Sequence, residues 1–185
     1  NELTITAYDL YGNTATGYTG AHNLTFSGLA TIGSYVPEVE GTDFGTATSV
    51  TFTSGVSNAS SATLIAYAAE TASVDVTDGT INSAGDASYD LDLTVNPATA
   101  SNLRVTGTAT MTAGGSNELT ITAYDLYGNT ATGYTGAHNL TFSGLSSIGS
   151  YDPEVETVEF GSATSVTFTS GVSNASSATL VAYAA

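Results

Sequence analysis

The chain has 185 residues with 17 acidic side chains, one basic residue (Arg104) and no Cys, so its formal net charge is −16. Such a charge argues against nucleic acid and anionic membrane surfaces as partners. The apolar runs are too short for membrane insertion, and the lack of Cys excludes disulfides, thioesters and thiolate metal sites. We expect an extracellular or cell-surface chain, with a halophilic origin as the alternative.

A long internal repeat organises the sequence. Residues 1–69 return as residues 117–185 with 61 of 69 positions unchanged, at a period of 116 residues. That period is too long for a solenoid unit and fits a whole small domain. Pro97 and the Ala-Thr-Ala-Ser run after it resemble a linker, which predicts two domains, residues 1–97 and residues 98–185.

The two predicted domains differ in what they contain. The first has no counterpart of residues 98–116, and the second has no counterpart of residues 70–97. The sequence thus predicts that the first domain lacks its opening strand and the second its last strands. We expect both to be completed by chain outside this window, either the same polypeptide or another copy in an assembly.

Hydrophobic residues alternate with polar ones along most of the chain. In chain order, this alternation predicts strands at residues 3–7, 23–26, 50–53, 74–76, 91–95 and 103–105. A period of two is typical of antiparallel strands with one face in a core and the other in water. Gly and Asn clusters separate the runs, and no helical stripe is present. The pattern predicts an all-β fold, with a β-sandwich as the natural architecture.

One segment resembles a known family. Residues 7–20, Ala-Tyr-Asp-Leu-Tyr-Gly-Asn-Thr-Ala-Thr-Gly-Tyr-Thr-Gly, are similar to the A-x-D-x-Y-G-N-x-A-x-x-Y-x-G signature of bacterial immunoglobulin-like (Big-type) tandem repeats of extracellular surface and adhesin proteins. Residues 24–28, 50–56 and 95–98 resemble the same family. The resemblance implies tandem immunoglobulin-like β-sandwich domains. Such modules occur in adhesins, in surface-layer-like proteins and as spacers beside enzymes.

The Asp-Leu-Tyr-Gly-Asn turn is a candidate metal site. Asp9 and Asn13 return as Asp125 and Asn129. One interpretation is structural, because an Asp at the end of a strand can accept hydrogen bonds from the backbone of the following turn. The other is a calcium site, because Asp and Asn oxygens are hard ligands. Their spacing is not that of an EF-hand loop.

A second acidic pair precedes the linker. Alternation places Asp90 and Asp92 on the same outer face of the last strand of the first domain. Calcium could bridge these like charges and stiffen a joint between domains. The alternative is a solvated acidic face that opposes edge-to-edge aggregation.

Two sequons and a few aromatic residues complete the candidate sites. The N-glycosylation pattern predicts acceptors at Asn23, Asn58, Asn139 and Asn174. Tyr8, Tyr11 and Tyr18 either pack across the strand–turn junction or form a sugar-stacking patch. His22 and His138 have neither Cys nor Lys as a partner, and the Ser residues have no base in a catalytic arrangement.

These features predict a non-catalytic structural protein, an extracellular stalk or filament. Its partners would be neighbouring repeats or copies of itself joined end to end, with surface glycans as a further possibility and calcium as a candidate cofactor. The alternatives are a carbohydrate- or surface-binding adhesin module and a spacer beside an enzyme domain. The absence of Lys rules out Lys–Asn isopeptide cross-links.

Overall fold

A computed structural model describes residues 1–184 and divides the chain into two compact units, Asn1–Asn96 and Pro97–Ala185. Both consist of short antiparallel strands joined by turns, which confirms the predicted all-β fold. No helix in the described part of the chain is long and apolar enough to cross a membrane.

The first unit contains eight strands in two sheets. They are β1 (Gly20–Ser27), β2 (Glu38–Val39), β3 (Thr42–Asp43), β4 (Ala47–Thr53), β5 (Val56–Ser57), β6 (Leu64–Ile65), β7 (Glu70–Thr77) and β8 (Leu91–Val95). One sheet has the order β5-β4-β1-β7-β8 and the other the order β3-β2-β6.

The described residues of the second unit, 97–184, form nine strands in two sheets. They are β9 (Asn102–Thr106), β10 (Ser116–Glu118), β11 (Thr120–Tyr124), β12 (Gly136–Thr141), β13 (Glu154–Val155), β14 (Val158–Glu159), β15 (Ala163–Thr169), β16 (Val172–Ser173) and β17 (Thr179–Val181). The sheet orders are β12-β15-β16-β11-β9 and β10-β17-β13-β14.

Each unit buries its own apolar core between its two sheets. In β4 the residues alternate strictly, with Thr48, Val50 and Phe52 buried and the residues between them exposed. Side chains of β1, β4 and β7 meet Val39 of β2 and Leu64 of β6 in one cluster. Burial of side chains of this size is the main source of stability in such a fold. Two antiparallel sheets around a shared core are consistent with a β-sandwich.

Equivalent strands pair in the same register in both units. Gly20 lies opposite Phe52 in the β1–β4 pair, and Gly136 lies opposite Phe168 in the β12–β15 pair. The turn after β4 places Ser54 and Gly55 at φ 50° and 87°. Two consecutive residues with positive φ are typical of the tight hairpin turn that matches the twist of antiparallel strands.

The predicted strand at residues 3–7 forms in only one of its two occurrences. In the second unit four of the five equivalent residues, 120–123, belong to β11, and Leu119 lies between β10 and β11. In the first unit the same sequence makes single bridges, Glu2 to Thr63 and Thr6 to Val56, and no continuous ladder. The prediction is wrong for the first unit: β9 pairs with all five residues of β11, and no strand among the described residues pairs with residues 4–8 in this way.

Candidate functional site

In the first unit, the Asp9 carboxylate closes the turn that follows it. Its Oδ1 accepts hydrogen bonds from the backbone N–H groups of Tyr11 (2.9 Å) and Asn13 (2.8 Å). The side-chain amide of Asn13 donates to Oδ2 at 3.1 Å. The Asn13 side chain contributes most to holding the pKa of Asp9 below its ordinary value, and the backbone bonds add to it.

In the second unit, the equivalent Asp125 is more enclosed. Its Oδ1 accepts three backbone N–H groups, from Tyr127, Gly128 and Asn129, each at 2.9 Å. Its Oδ2 accepts the Asn129 amide and the backbone N–H of Ala98, both at 2.9 Å. Asp125 is only 1% exposed. Burial disfavours its charged form, but these bonds outweigh burial and hold its pKa below the ordinary value.

These contacts show what the Asp-Asn turn does in the fold. The structural interpretation accounts for the hydrogen bonds above, because the carboxylates accept backbone N–H groups of the turn, the amide of the Asn four residues on and, in the second unit, the N–H of Ala98. Ca²⁺ would have to displace several of these donors. The described residues contain no group of three or more His, Cys, Asp or Glu that could hold a metal. Calcium binding by Asp9, Asn13, Asp125 and Asn129 stays a prediction.

Asp90 and Asp92 lie in different surroundings. Asp92, in β8, is exposed and accepts a hydrogen bond from the Ser73 hydroxyl at 2.7 Å. Asp90 precedes β8, is half-buried and lines a groove of the first unit. Its Oδ1 is buried without a hydrogen-bond partner. The two carboxylates therefore differ in burial, and calcium binding by Asp90 and Asp92 stays a prediction.

The four predicted glycosylation acceptors lie at accessible or partly accessible positions. Asn23 and Asn139 are exposed on β1 and β12. Asn58 and Asn174 follow the short strands β5 and β16, where Asn58 is half-buried and Asn174 is exposed. Glycosylation at these positions stays a prediction.

Tyr18 and His22 form an aromatic stack at the start of β1. Their rings lie 3.7 Å apart, and Phe52 meets Tyr18 edge-on at 4.9 Å. The Tyr18 hydroxyl donates to Asp78 Oδ2 at 2.9 Å. Burial, followed by this contact with Asp78, raises the pKa of Tyr18 to about 12. No local sequence pattern indicates the contact between Tyr18 and Asp78, because 60 residues separate them.

The other two tyrosines of the candidate sugar-stacking patch are exposed in the first unit. Tyr11 is 86% exposed, and Tyr8 lies against Tyr89 at 5.8 Å. In the second unit the equivalents, Tyr124 and Tyr127, are half-buried. The exposed patch is therefore a feature of one unit and does not recur with the repeat.

Searches against known protein families, curated proteins and solved structures found no match for this chain.

Proposed function

We propose that this chain is a non-catalytic structural repeat of an extracellular stalk or filament, built of tandem immunoglobulin-like domains of the bacterial Big type. The observation that carries the proposal is the tandem repetition itself. Two successive units share 61 of 69 aligned residues, and each encloses its own apolar core. Repetition of a whole domain adds length to an assembly without adding a new chemical site.

The surface supports the same function. Acidic residues predominate, and Arg104 is the single basic side chain among them. A strongly negative surface keeps neighbouring molecules apart except where specific contacts join them. Residues facing water on the strands are largely Thr and Ser, as in β4 and β15. Such a surface suits a chain that is exposed to solvent along its length.

Immunogold electron microscopy of native cells tests this function. Antibodies against the 185-residue chain are expected to label thin projections outside the cell, and negative staining of isolated projections should show a repeating density. Pre-immune serum and permeabilised cells provide the controls. Label confined to the cell interior, or to compact particles without a repeating density, would contradict the proposal.

A glycan-binding adhesin module is the second candidate function. It is favoured by the exposure of Tyr11 and by the Tyr8–Tyr89 pair, because sugar rings stack on aromatic faces. It is weakened by the half-buried state of Tyr127 in the second unit. A glycan array probed with the chain and with its Tyr11→Ala variant tests it. Binding that the substitution abolishes would favour the adhesin, and absence of binding would remove it.

A further inference from the structure

A pair of tyrosines lies at the same place in each unit. The rings of Tyr35 and Tyr67 have centroids 5.3 Å apart and planes inclined at 39°. The rings of Tyr151 and Tyr183 have centroids 5.3 Å apart and planes inclined at 38°. Tyr35 is 37% exposed and Tyr151 is 61% exposed. One ring of each pair is therefore accessible from solution while it lies against the other.

Backbone pairing fixes the position of the first pair. Ile32 and Tyr35 exchange backbone hydrogen bonds of 3.1 and 2.9 Å, which close a tight turn before β2. Within the sheet, Glu38 of β2 lies opposite Ile65 of β6. Tyr67 follows two residues after Ile65, and its hydroxyl donates to Glu38 Oε1 at 3.0 Å. The two rings are thus held at one end of the β2–β6 pair, with a carboxylate beside them.

The second unit holds its tyrosines in the same way. Glu154 of β13 lies opposite Val181 of β17, and the Tyr183 hydroxyl donates to Glu154 Oε1 at 3.3 Å. The first pair is followed within its unit by residues 70–96, and the second is preceded within its unit by residues 97–116. Neither segment has a counterpart in the other unit. Because the ring geometry is the same in both settings, it does not depend on which of these segments is present.

The composition makes tyrosine the main target of one-electron oxidation. The chain has 11 Tyr, one Met, no Cys and no Trp, and sulfur side chains are the usual first targets of oxidants. Without Cys and Lys, the chain can form neither a disulfide nor a Lys–Asn isopeptide bond. Coupling of two phenol rings is a covalent cross-link that these residues do allow.

A carboxylate stands where the oxidation needs a proton acceptor. A phenol that loses an electron also releases its proton, and a carboxylate within hydrogen-bond distance can accept that proton. Glu38 and Glu154 hold this position beside Tyr67 and Tyr183. Burial, followed by the charge of Glu154, raises the pKa of Tyr183. Its phenol therefore stays protonated at neutral pH, and the proton has to leave with the electron.

We propose that Tyr35–Tyr67 and Tyr151–Tyr183 are oxidative cross-linking sites, at which hydrogen peroxide and a haem peroxidase join the two rings as dityrosine. Each phenol gives up one electron and its hydroxyl proton, and the two radicals couple through the ring carbons next to the hydroxyl groups. The hydrogens on those two carbons then return to the two oxygens as protons. One C–C bond is formed, and the peroxide takes up the two electrons and two protons to become two molecules of water.

Such a cross-link would act as a covalent staple within each unit. It closes a loop that contains β2 to β6 in the first unit and β13 to β17 in the second. Closing a loop lowers the conformational entropy of the unfolded chain, as a disulfide does. The inference goes beyond the proposed stalk function by adding a covalent reinforcement to each domain. It depends on ring geometry and not on cellular location, so either can fail while the other stands.

Mass spectrometry of the oxidised chain tests the proposal. The 185-residue chain, kept dilute, is treated with hydrogen peroxide and a haem peroxidase, and the monomer is isolated. It should be lighter by four hydrogen atoms and show the blue fluorescence of dityrosine. After unfolding, trypsin cleaves at Arg104 and separates the units, and each fragment should be lighter by two hydrogen atoms. Cleavage after Glu38 and Glu154 should leave the tyrosine peptides of each pair joined.

Conservative substitutions assign the cross-links. Tyr35→Phe should remove the cross-link from the first unit alone, and Tyr151→Phe from the second alone. Tyr11→Phe removes a tyrosine that is 86% exposed and should change neither cross-link, which makes it the control for exposure. Glu38→Gln keeps an oxygen for the Tyr67 hydroxyl but cannot take its proton. It should slow the reaction in the first unit, with the second unit as the internal reference.

Thermal melting tests the effect on stability. The cross-linked monomer should melt at a higher temperature than the untreated chain. The same treatment should leave the melting temperature of the Tyr35→Phe/Tyr151→Phe double variant unchanged, because that variant cannot form either cross-link. An unchanged melting temperature of the cross-linked parent chain would overturn the role as a staple.

Four outcomes would overturn the cross-linking sites. They are a monomer of unchanged mass, coupling found only in dimers, a mass loss that persists in the double Phe variant, and a cross-link that maps instead to Tyr8 and Tyr89, whose rings lie 5.8 Å apart. An equal rate for Glu38→Gln and the parent chain would reject the carboxylate as the proton acceptor.

Discussion

The two units are nearly identical in sequence over 69 residues, yet they bury different members of that sequence. In the first unit Leu24 and Phe26 of β1, which pairs with β7, are buried, while Asp9 and Asn13 are exposed. In the second unit the pattern is reversed, with Leu140 and Phe142 partly exposed and Asp125 and Asn129 buried. The local sequence is the same, so the strands packed against it decide the burial of each side chain.

Strand formation in this chain depends on the neighbouring strands as well as on the local sequence. The segment that forms β11 beside β9 makes only isolated bridges in the first unit. Strand propensity is a weak preference that depends on cross-strand neighbours. Matched substitutions at positions separated by 116 residues can therefore measure what a neighbouring strand contributes, with the local sequence held constant.

The largest expected difference is between Phe26 and Phe142. Phe26 is 2% exposed and lies opposite Val76 of the neighbouring strand β7, so Phe26→Ala should lower the free energy of unfolding of the first unit by about 3–5 kcal/mol. Phe142→Ala should cost the second unit half of that or less, because Phe142 is partly exposed. Urea unfolding followed by hydrogen exchange assigns each loss to its unit. Equal losses would show that β7 does not shield Phe26.

Glycines 28 and 144 make the next comparison. Both have positive φ, so an added side chain strains the backbone at either position. At Gly28 a Cβ would also lie 1.9 Å from the Ser73 carbonyl oxygen of β7, whereas at Gly144 it would meet no atom within 4 Å. Gly28→Ala should therefore cost about 1–3 kcal/mol more than Gly144→Ala in thermal melts.

An internal control exists for that experiment. Gly55 and Gly171 have the same surroundings in both units, with a Cβ lying 2.8 Å from the carbonyl oxygens of Ala15 and Ala131. Gly55→Ala and Gly171→Ala should destabilise their units equally. Unequal losses in this pair would mean that the units differ in more than their neighbouring strands.

Substitution of Asp125 and Asp9 compares the Asp-Leu-Tyr-Gly-Asn turn in the two units. Asp125→Asn keeps one acceptor oxygen but places an N–H₂ group against the N–H of Ala98. The loss should exceed that of Asp9→Asn by about 1.5 kcal/mol, because only Asp125 bonds Ala98. Denaturant unfolding at pH 7 measures both. The pKa of Asp125 is lowered by folding, so its contribution to stability is present above its ordinary pKa and is lost as pH falls through the folded value.

The same variants test calcium. If Asp9, Asn13, Asp125 and Asn129 bind Ca²⁺, millimolar calcium should raise the melting temperature of the parent chain relative to chelator, and less so for the two Asn variants. An unchanged melting temperature would leave the turn with its hydrogen-bonding role alone.

The smallest expected effect is at Tyr18, whose partner Asp78 has no equivalent in the second unit. Folding raises its pKa from 10.0 to about 12, so the folded state holds the phenolic proton more tightly. The stability from this group is fully present below pH 10 and is lost as pH rises through about 12. Ultraviolet titration should show a late phenolate step that Tyr18→Phe removes. If the step persists in the variant, it belongs to another tyrosine.

The sequence predicted the fold better than the site. Alternation located β1, β4, β7, β8 and β9, because a strand with one buried face has apolar and polar residues in turn along its sequence. It could not distinguish Asp9 from Asp125, since the residues around them are the same and the difference comes from Ala98. Alternation also could not show that Asp90 and Asp92 differ in burial, because β8 begins only after Asp90. It could not predict the contact between Tyr18 and Asp78 either, because the two residues are distant in sequence.

The shared register of β1–β4 and β12–β15 has a consequence for folding. During refolding β1 can pair with β15 as readily as with β4, since the paired residues are identical. Tandem domains this alike are prone to misassembly between neighbours. The eight positions that differ between the repeats include residues 41–43 at β3 and its turn. Only such differing positions can make pairing within one unit more favourable than pairing between units. Synthesis on the ribosome, which completes one domain before the next emerges, would favour the correct pairing that the sequence alone barely encodes.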